Sequence, residues 1–250
     1  MSRPTQAPAP FFRLRPASLS AVLLTCEHAA RALPAPLRAG PDEVEILRSH
    51  WGFDPGAWDL TRALSRRTGF GALGARWSRL VIDPNRRIDD PTLIRNEAEG
   101  IALSFNQRLT AAERERRIGA YHAPYHAEID RLLMRRIVRG IHPVVLAIHS
   151  FTPVLHRHRR DFDVGVLYDD HAVLARRLAR RVRAAGFRVR MNEPYSGIAG
   201  MMYAADRHGS HLDLPCLELE VNQARIGTRA QAEEVAERLT SAIAALGADV

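Results

Sequence analysis

The stretch Val144-Val-Leu-Ala-Ile148, together with the residues directly after it, His149-Ser-Phe-Thr-Pro153, decides the fold class of this chain. A short apolar run with β-branched members and no helical period predicts a strand that is buried on both faces. Strands of that kind belong to parallel sheets whose two faces are covered by helices. We therefore expect helical segments and further apolar runs on either side of it.

Outward from Val144, strand-like and helix-like segments alternate along the chain. Further strands are predicted at Ala21–Thr25, Leu80–Ile82, Val164–Tyr168, Phe187–Met191 and Leu217–Val221. Helices are predicted from Asp54 to Thr68, from Ala111 to Arg139 with a break or kink at Pro124, from His171 to Ala185 and from Gln231 to Leu246. This alternation predicts an α/β fold with a mixed, mostly parallel central sheet and helices on both faces. We expect one domain over residues 1–250, in which the proline-containing residues 1–18 form an irregular arm.

The composition limits the function classes. The apolar runs are far too short to span a bilayer, and no secretory signal is recognisable. Two cysteines, Cys26 and Cys216, cannot define a disulfide framework, so we expect a cytoplasmic protein without membrane contacts. The net charge is +8, yet all 36 basic residues are arginine and they are spread along the predicted helices. That distribution is typical of solvated helix faces, so no nucleic-acid partner is expected.

Polar side chains follow four of the predicted strands directly. They are His28 after the first, Asn85 and Arg86 after the second, His149 and Ser150 after the third, and Glu220 near the end of the last. In α/β sheets ligands bind beyond the carboxyl ends of the strands, so these residues are candidates for one site. The sequence contains no glycine-rich phosphate loop, nucleophile elbow or Cys-x-x-Cys pair, which argues against nucleotide-binding, serine-hydrolase and zinc-ribbon functions.

His28 and His149 suit a divalent metal ion. Catalytic zinc usually has three protein ligands and one open position, and Asp54, in His50-Trp-Gly-Phe-Asp54, is the candidate for the third. Glu27 is a rival ligand, although neighbours on a strand point to opposite faces. Two other interpretations stay open from the residues alone: Asp54 as the N-cap of the helix it precedes, and both histidines as core residues hydrogen-bonded to the backbone.

Glu218 and Glu220 fall on one face of the last predicted strand. On an edge strand both would be solvated, whereas in a central strand a buried carboxylate needs a partner or a task. Beside a metal-activated water, Glu220 could act as a general base. The pair His122 and His126 has the spacing of a helical metal site but lacks the glutamate of H-E-x-x-H and contains Pro124. We interpret this pair as a packing feature that supports the site.

Eight stretches between about residues 21 and 226 form a recognisable set: Leu-Thr-Cys-Glu-His28, His50-Trp-Gly-Phe-Asp54-Pro-Gly-Ala, Ser78-Arg-Leu-Val-Ile-Asp-Pro-Asn-Arg86, Tyr121-His-Ala-Pro-Tyr-His126, His149-Ser-Phe-Thr-Pro153, Arg160-Asp-Phe-Asp-Val-Gly-Val-Leu-Tyr168, Asn192-Glu-Pro-Tyr195-Ser-Gly197 and Leu217-Glu-Leu-Glu220. Together and in this order they resemble the N-formylglutamate amidohydrolase family. The resemblance implies a fold related to the zinc carboxypeptidases. It also implies zinc-dependent hydrolysis of a small N-acyl amino acid such as N-formylglutamate, a reaction of amino-acid catabolism.

The resemblance further implies roles for single residues. His28, Asp54 and His149 match the expected metal ligands, and Glu220 matches the catalytic base. The remaining candidates are the substrate-binding residues: Asn85 and Arg86, similar to the Asn-Arg pair with which carboxypeptidase-like enzymes hold a carboxylate, and Arg79, Arg160, Ser150 and Tyr195. The alternative hypothesis is a non-catalytic metal- or ligand-binding protein on the same scaffold, which would keep the two histidines without needing Glu220.

Overall fold

Seven strands form one mixed sheet within residues 8–155 and 157–249, the part of the chain that the computed structural model describes. The strands in chain order are β1 (Phe11–Leu14), β2 (Val22–Cys26), β3 (Gly71–Ala75), β4 (Glu97–Ala98), β5 (Ile101–Ala102), β6 (Val144–Phe151), β7 (Val154–Leu155), β8 (His158–Arg159), β9 (Val164–Leu167), β10 (Val189–Met191) and β11 (Cys216–Asn222). The sheet order is β1-β3-β2-β6-β11-β9-β10, and the pairs β4–β5 and β7–β8 lie outside it. Strands β3, β2, β6 and β11 run parallel, whereas β1, β9 and β10 run in the opposite direction. The predicted mixed, mostly parallel sheet is confirmed.

Within the described ranges, six helices lie between these strands in the chain, and two follow the last strand. They are α1 (Pro41–Arg48), α2 (Ala57–Thr68), α3 (Ala111–Arg117), α4 (Ala123–Ile137), α5 (Ala172–Ala184), α6 (Tyr203–Leu212), α7 (Gln223–Ile226) and α8 (Arg229–Ala244). A π turn over Ile118–His122 joins α3 to α4 just before Pro124, where a break or kink was predicted. Pro124 lies in the first turn of α4, and the preceding His122 keeps helical backbone angles, so the helix continues across this junction.

Helices cover both faces of the sheet because alternate residues of the central strands point to opposite layers. Leu24 and Leu146 face one layer, formed with α2, α5 and α8. Leu23 and Val145 face the other, formed with α4 and α6. His149 follows Val145 in the alternation of β6, so its side chain lies on the side of α4 and α6.

The prediction of a strand at Leu80–Ile82 is wrong, since these residues form a buried turn. The strand beside β2 is β3, whose sequence Gly-Ala-Leu-Gly-Ala lacks the β-branched residues that indicate strands. Small residues are required there, because a Cβ on Gly74 would lie 2.5 Å from the Trp58 ring. The small residues of β3 are therefore explained by its packing against a neighbouring helix. A short stretch of sequence does not show such packing, so the strand could not be predicted.

The predicted irregular arm, residues 1–18, contains regular structure. Phe11–Leu14 pairs antiparallel with β3 and forms one edge of the sheet, because the prolines at 10 and 16 flank the paired segment without entering it. Residues 1–7 of the predicted arm lie outside the described residues.

The outer helix surfaces carry the arginines, many of them in ion pairs. Arg67 Nη2 lies 3.1 Å from Glu237 Oε2, and Arg66 pairs with Glu233, so α2 and α8 are linked at their exposed sides. Exposed pairs of this kind contribute little stability each. Among the helices of the two described ranges, none has the length and apolar character that crossing a membrane requires.

Candidate active site

His28, Asp54 and His149 meet at the carboxyl end of the central strands. His28 follows β2, Asp54 precedes α2, and His149 lies within β6. Asp54 Oδ2 lies 2.9 Å from His149 Nδ1 and 3.3 Å from His28 Nδ1, and none of the three residues is more than 5% exposed. One ligand atom from each lies within 4.8 Å of the others, so the group could hold a metal ion.

Asp54 does not act as the side-chain cap of α2. The N-cap residue is Gly56, and the helix start has no side-chain cap bond. The Asp54 carboxylate turns towards the histidines instead, and its Oδ2 also accepts the Ser150 backbone N–H at 3.2 Å. The arrangement therefore favours Asp54 as a ligand over Asp54 as a cap.

Each histidine has its outer nitrogen paired with a second carboxylate. His28 Nε2 lies 2.8 Å from Asp83 Oδ1, and His149 Nε2 lies 2.8 Å from Glu27 Oε2. Metal-binding histidines commonly donate their other N–H to a carboxylate in this way. Glu27 thus lies behind His149 rather than beside Asp54, and this position favours Asp54 over the rival ligand.

The donor set fits a zinc ion. Two imidazole nitrogens and one carboxylate oxygen, with an open side towards a cavity, are typical of catalytic zinc. Ligand atoms around a tetrahedral ion with bonds of about 2.0–2.2 Å are roughly 3.3 Å apart, and the Nδ1–Oδ2 distances here are 2.9 and 3.3 Å.

Glu220 lies beside His149 in the sheet. It stands opposite His149 of β6 on one side and Gly165 of β9 on the other, so the solvated edge-strand interpretation is excluded. The Oε2 atoms of Glu220 and Glu218 are buried and make no hydrogen bond to any described residue. Burial and the neighbouring Glu218 raise the pKa of Glu220 well above its ordinary value, and burial raises the pKa of Glu218 to about 7. A carboxyl group that borders a cavity and readily holds a proton is suited to proton transfer.

Asp83 connects the candidate metal centre to the arginines. Its Oδ1 accepts hydrogen bonds from His28 Nε2 and the Asn85 N–H, both at 2.8 Å, and its Oδ2 accepts from Arg79 Nη2 at 2.8 Å. Although burial favours the neutral acid, Arg79 and His28 hold the pKa of Asp83 well below its ordinary value. Asp83 is absent from the site residues predicted from sequence. The need of a ligating histidine for a carboxylate partner is the signal that could have identified it.

A cavity of about 200 Å³ opens in front of these groups. It is lined by the metal-binding candidates, by Glu220 and by five of the six predicted substrate-binding residues, namely Arg79, Asn85, Arg86, Ser150 and Tyr195. Asn85 Oδ1 accepts the Ala204 N–H at 2.8 Å, so its amide NH₂ is left to face the cavity. An amide donor next to the Arg86 guanidinium suits a carboxylate ligand.

Two of the predicted substrate-binding residues have other contacts. Arg160 does not line the cavity: its guanidinium lies over the ring of Tyr195, a residue of the cavity wall, at 5.4 Å from the centroid. The Ser150 hydroxyl donates to the Pro55 carbonyl at 2.9 Å, which leaves its backbone N–H, bonded to Asp54, as its contact with the site.

Arg95 is a cavity residue that strand-end reasoning missed. It lies over the Trp51 ring at 5.5 Å, and no carboxylate among the described residues is within ion-pair distance of it. Burial, together with the nearby Arg79 and Arg86, lowers its pKa. A partly buried guanidinium beside two other cations favours an anionic ligand. Arg95 could not be predicted as a site residue, because it lies in a loop and does not follow a predicted strand.

Comparison with known proteins agrees with this geometry. A sequence model of the family described as N-formylglutamate amidohydrolase matches residues 20–227. The chain belongs to this family. The sequence motifs described above are those of this family. Membership in the family supports hydrolysis of an amide bond as the activity.

Solved structures show the same fold. A gene product of Agrobacterium tumefaciens is 30% identical to this family member, with a TM-score of 0.85 over 94% of this chain and 95% of the other. The N-formylglutamate amidohydrolase from Ralstonia eutropha is 23% identical, with a TM-score of 0.74 over 97% and 98% of the two chains. No curated protein matches the chain in sequence.

Proposed function

We propose that this protein is a zinc-dependent amidohydrolase that cleaves a small N-acyl amino acid, N-formylglutamate or a close analogue, to formate (or another acid) and the free amino acid. The observation that carries the proposal is the convergence of His28, Asp54 and His149, with Glu220 adjacent, in a chain of the amidohydrolase family. The expected setting remains cytoplasmic, and both cysteines are buried and free.

The three convergent residues would hold the ion through His28 Nδ1, Asp54 Oδ2 and His149 Nδ1. A divalent ion bound there would polarise the acyl carbonyl and increase the acidity of a water molecule. Glu220 accepts a proton from the water as its oxygen attacks the acyl carbon. It returns that proton to the amide nitrogen as the C–N bond breaks, so one water is consumed and a carboxylic acid and an amine leave.

The cationic side of the cavity binds the substrate. The Asn85 amide and the Arg86 guanidinium bind the α-carboxylate, which orients the scissile bond towards Glu220. Arg79, whose Nη1 lies 3.7 Å from Asp54 Oδ1, is close enough to the candidate metal centre to stabilise developing negative charge. Tyr195 closes the cavity, and Arg160 holds its ring in place.

Glu220→Gln tests this proposal against non-catalytic binding. Formate release from N-formyl-L-glutamate should fall about 10²–10⁴-fold, while metal content, measured by elemental analysis, stays at the wild-type value because Glu220 lies outside the proposed ligand set. Glu237→Gln, on the exposed side of α8, is the matched control and should retain full activity. A wild-type protein that binds zinc and hydrolyses no N-acyl amino acid would favour the non-catalytic alternative.

A further inference from the structure

The helical segment around residue 122 packs behind the active site, with three side chains that the proposed reaction does not use. His122, Tyr125 and His126 share one helix face, and none is more than 3% exposed. The π turn Ile118–His122 alters the helix just before this face. Such turns are frequent at functional sites.

His122 holds the main chain of the anion-binding pair. Its Nε2 lies 3.0 Å from the carbonyl oxygen of Arg86. A carbonyl oxygen can only accept, so His122 Nε2 carries the proton and donates it. This bond fixes the peptide unit from which the Arg86 side chain extends to the cavity.

Tyr125 supports the metal-binding side. Its hydroxyl donates to Glu27 Oε1 at 2.9 Å, and the other oxygen of Glu27 lies 2.8 Å from His149 Nε2. The two hydrogen bonds in series orient the His149 ring and leave its Nδ1 for the ion.

His126 reaches Asn85 through a second helix. Its Nδ1 lies 2.9 Å from His208 Nε2 in α6, and His208 Nδ1 lies 2.6 Å from Asp130 Oδ1. Asp130 accepts from His208 Nδ1, and the hydrogen bond between His208 Nε2 and His126 Nδ1 links α6 to α4. The first turn of α6 then holds Asn85 through the Ala204 N–H.

We propose that His122, Tyr125 and His126 form a positioning platform, which sets the spacing between His149 and the pair Asn85–Arg86. The proposal rests on the proposed function, because it takes His149 as a metal ligand and Arg86 as the residue that binds a carboxylate. Tyr125 supports the metal side, whereas His122 and, through α6, His126 support the anion side, so loss of one contact displaces one side and leaves the other in place.

Tyr125→Phe tests the contact with the metal side. The variant lacks only the hydroxyl that holds Glu27. We expect the Zn²⁺ affinity, measured by competition with a chromophoric chelator, to fall about 10-fold, while KM for N-formyl-L-glutamate at saturating Zn²⁺ is unchanged. Tyr121→Phe, half-buried on the same segment, is the matched control and should bind Zn²⁺ like the wild type. Equal Zn²⁺ affinity in the two variants would overturn the proposal.

His122→Leu and His122→Gln test the contact with the anion side. Leucine removes the donor to the Arg86 carbonyl, whereas the glutamine amide keeps one. Calorimetry on Zn²⁺-loaded protein should show about 10-fold weaker binding of the product L-glutamate for His122→Leu, with recovery in His122→Gln and unchanged Zn²⁺ affinity in both. A structural role alone would instead lower Zn²⁺ and glutamate affinity together, or affect both variants equally, and either result overturns the proposal.

Failure of the proposed function can be told apart from failure of the platform. A wild-type protein that binds Zn²⁺ but neither hydrolyses N-formyl-L-glutamate nor binds L-glutamate would show that the proposed substrate is wrong. In that case the Zn²⁺ affinities of Tyr125→Phe and Tyr121→Phe still decide the platform, because that measurement needs no substrate.

Discussion

In each candidate ligand histidine, one ring nitrogen is hydrogen-bonded to a carboxylate and the other is left for the metal ion. Asp83 and Glu27 occupy the outer nitrogens of His28 and His149, so the inner nitrogens are left to share the Asp54 oxygen. The histidines could be identified from sequence because they follow apolar runs, and parallel strands end at one edge. Asp83 reaches His28 only because the loop that carries it folds in a particular way. Short sequence patterns do not describe such loop folding, so the role of Asp83 could not be predicted.

Asp83→Asn should weaken the candidate metal centre. The amide keeps an oxygen for His28 Nε2 but loses the negative charge that polarises the imidazole, so Zn²⁺ affinity should fall about 10–100-fold. Competition with a chelator measures the change. Asp89→Asn, an exposed aspartate paired with Arg87, is the control and should have wild-type affinity. Wild-type affinity in Asp83→Asn would mean that this carboxylate does not tune the ligand.

Arg95→Gln should alter substrate choice. If the uncompensated guanidinium binds a side-chain carboxylate, kcat/KM for N-formyl-L-glutamate should fall about 10–100-fold, as expected for a lost charged hydrogen bond. The uncharged analogue N-formyl-L-glutamine should be hydrolysed about as well as by the wild type. Arg87→Gln, exposed on the surface, serves as the control. An equal loss of kcat/KM for both substrates would contradict a role of Arg95 in binding the side-chain carboxylate.

At the scale of secondary-structure elements, the sequence predicted β2, β6, β9, β10 and β11 from short apolar runs. It predicted α2, α3, α4, α5 and α8 from helical spacing, and the ends of most elements are shifted. It missed α1, α6 and β3. The β3 sequence is determined by what packs on it, since the Trp58 ring of α2 leaves no space for a side chain at Gly74. Leu80–Ile82 is apolar because it is buried, and burial alone does not distinguish a turn from a strand.

Gly74→Ala should destabilise the protein. A glycine-to-alanine change usually stabilises slightly, but here the added Cβ would lie 2.5 Å from the Trp58 ring and force the helix or the ring to move. A loss of about 1–3 kcal/mol in the free energy of unfolding is expected, measured by urea denaturation. Gly119→Ala, where a Cβ would have no neighbour within 4 Å, should be neutral or stabilising. Equal stability of the two variants would show that the packing at Gly74 is loose.

At the scale of the whole molecule, charge is distributed unevenly. A chain with a formal net charge of +8 buries five carboxyl groups in one place, those of Glu27, Asp54, Asp83, Glu218 and Glu220. Lowered pKa values leave the first three negatively charged. Arg79 compensates part of this charge, and a divalent ion would compensate more. The predictions of one domain over residues 1–250 and of no nucleic-acid partner stay predictions.

Zinc should therefore stabilise the folded protein. An ion that binds only the folded state adds about 2.7 kcal/mol at a free concentration 100 times its Kd. Thermal unfolding should show a higher Tm with Zn²⁺ than after treatment with a chelator. His149→Ala is the control, because without a ligand the Tm should no longer respond to Zn²⁺. A Tm of the wild type that is indifferent to Zn²⁺ would contradict the assignment of the metal centre.

The candidate ligands and Glu220 belong to the sheet and the start of α2, whereas Arg79, Arg86 and Arg95 belong to one excursion between β3 and α3. Substitutions at Arg86 and Arg95 can therefore change the choice of amino acid while the candidate ligands, Glu220 and the Asp83 contact with His28 are inherited intact. Divergence among relatives should then be greater in the excursion than at the strand ends. A lineage could acquire new substrates by changing a single stretch of its gene.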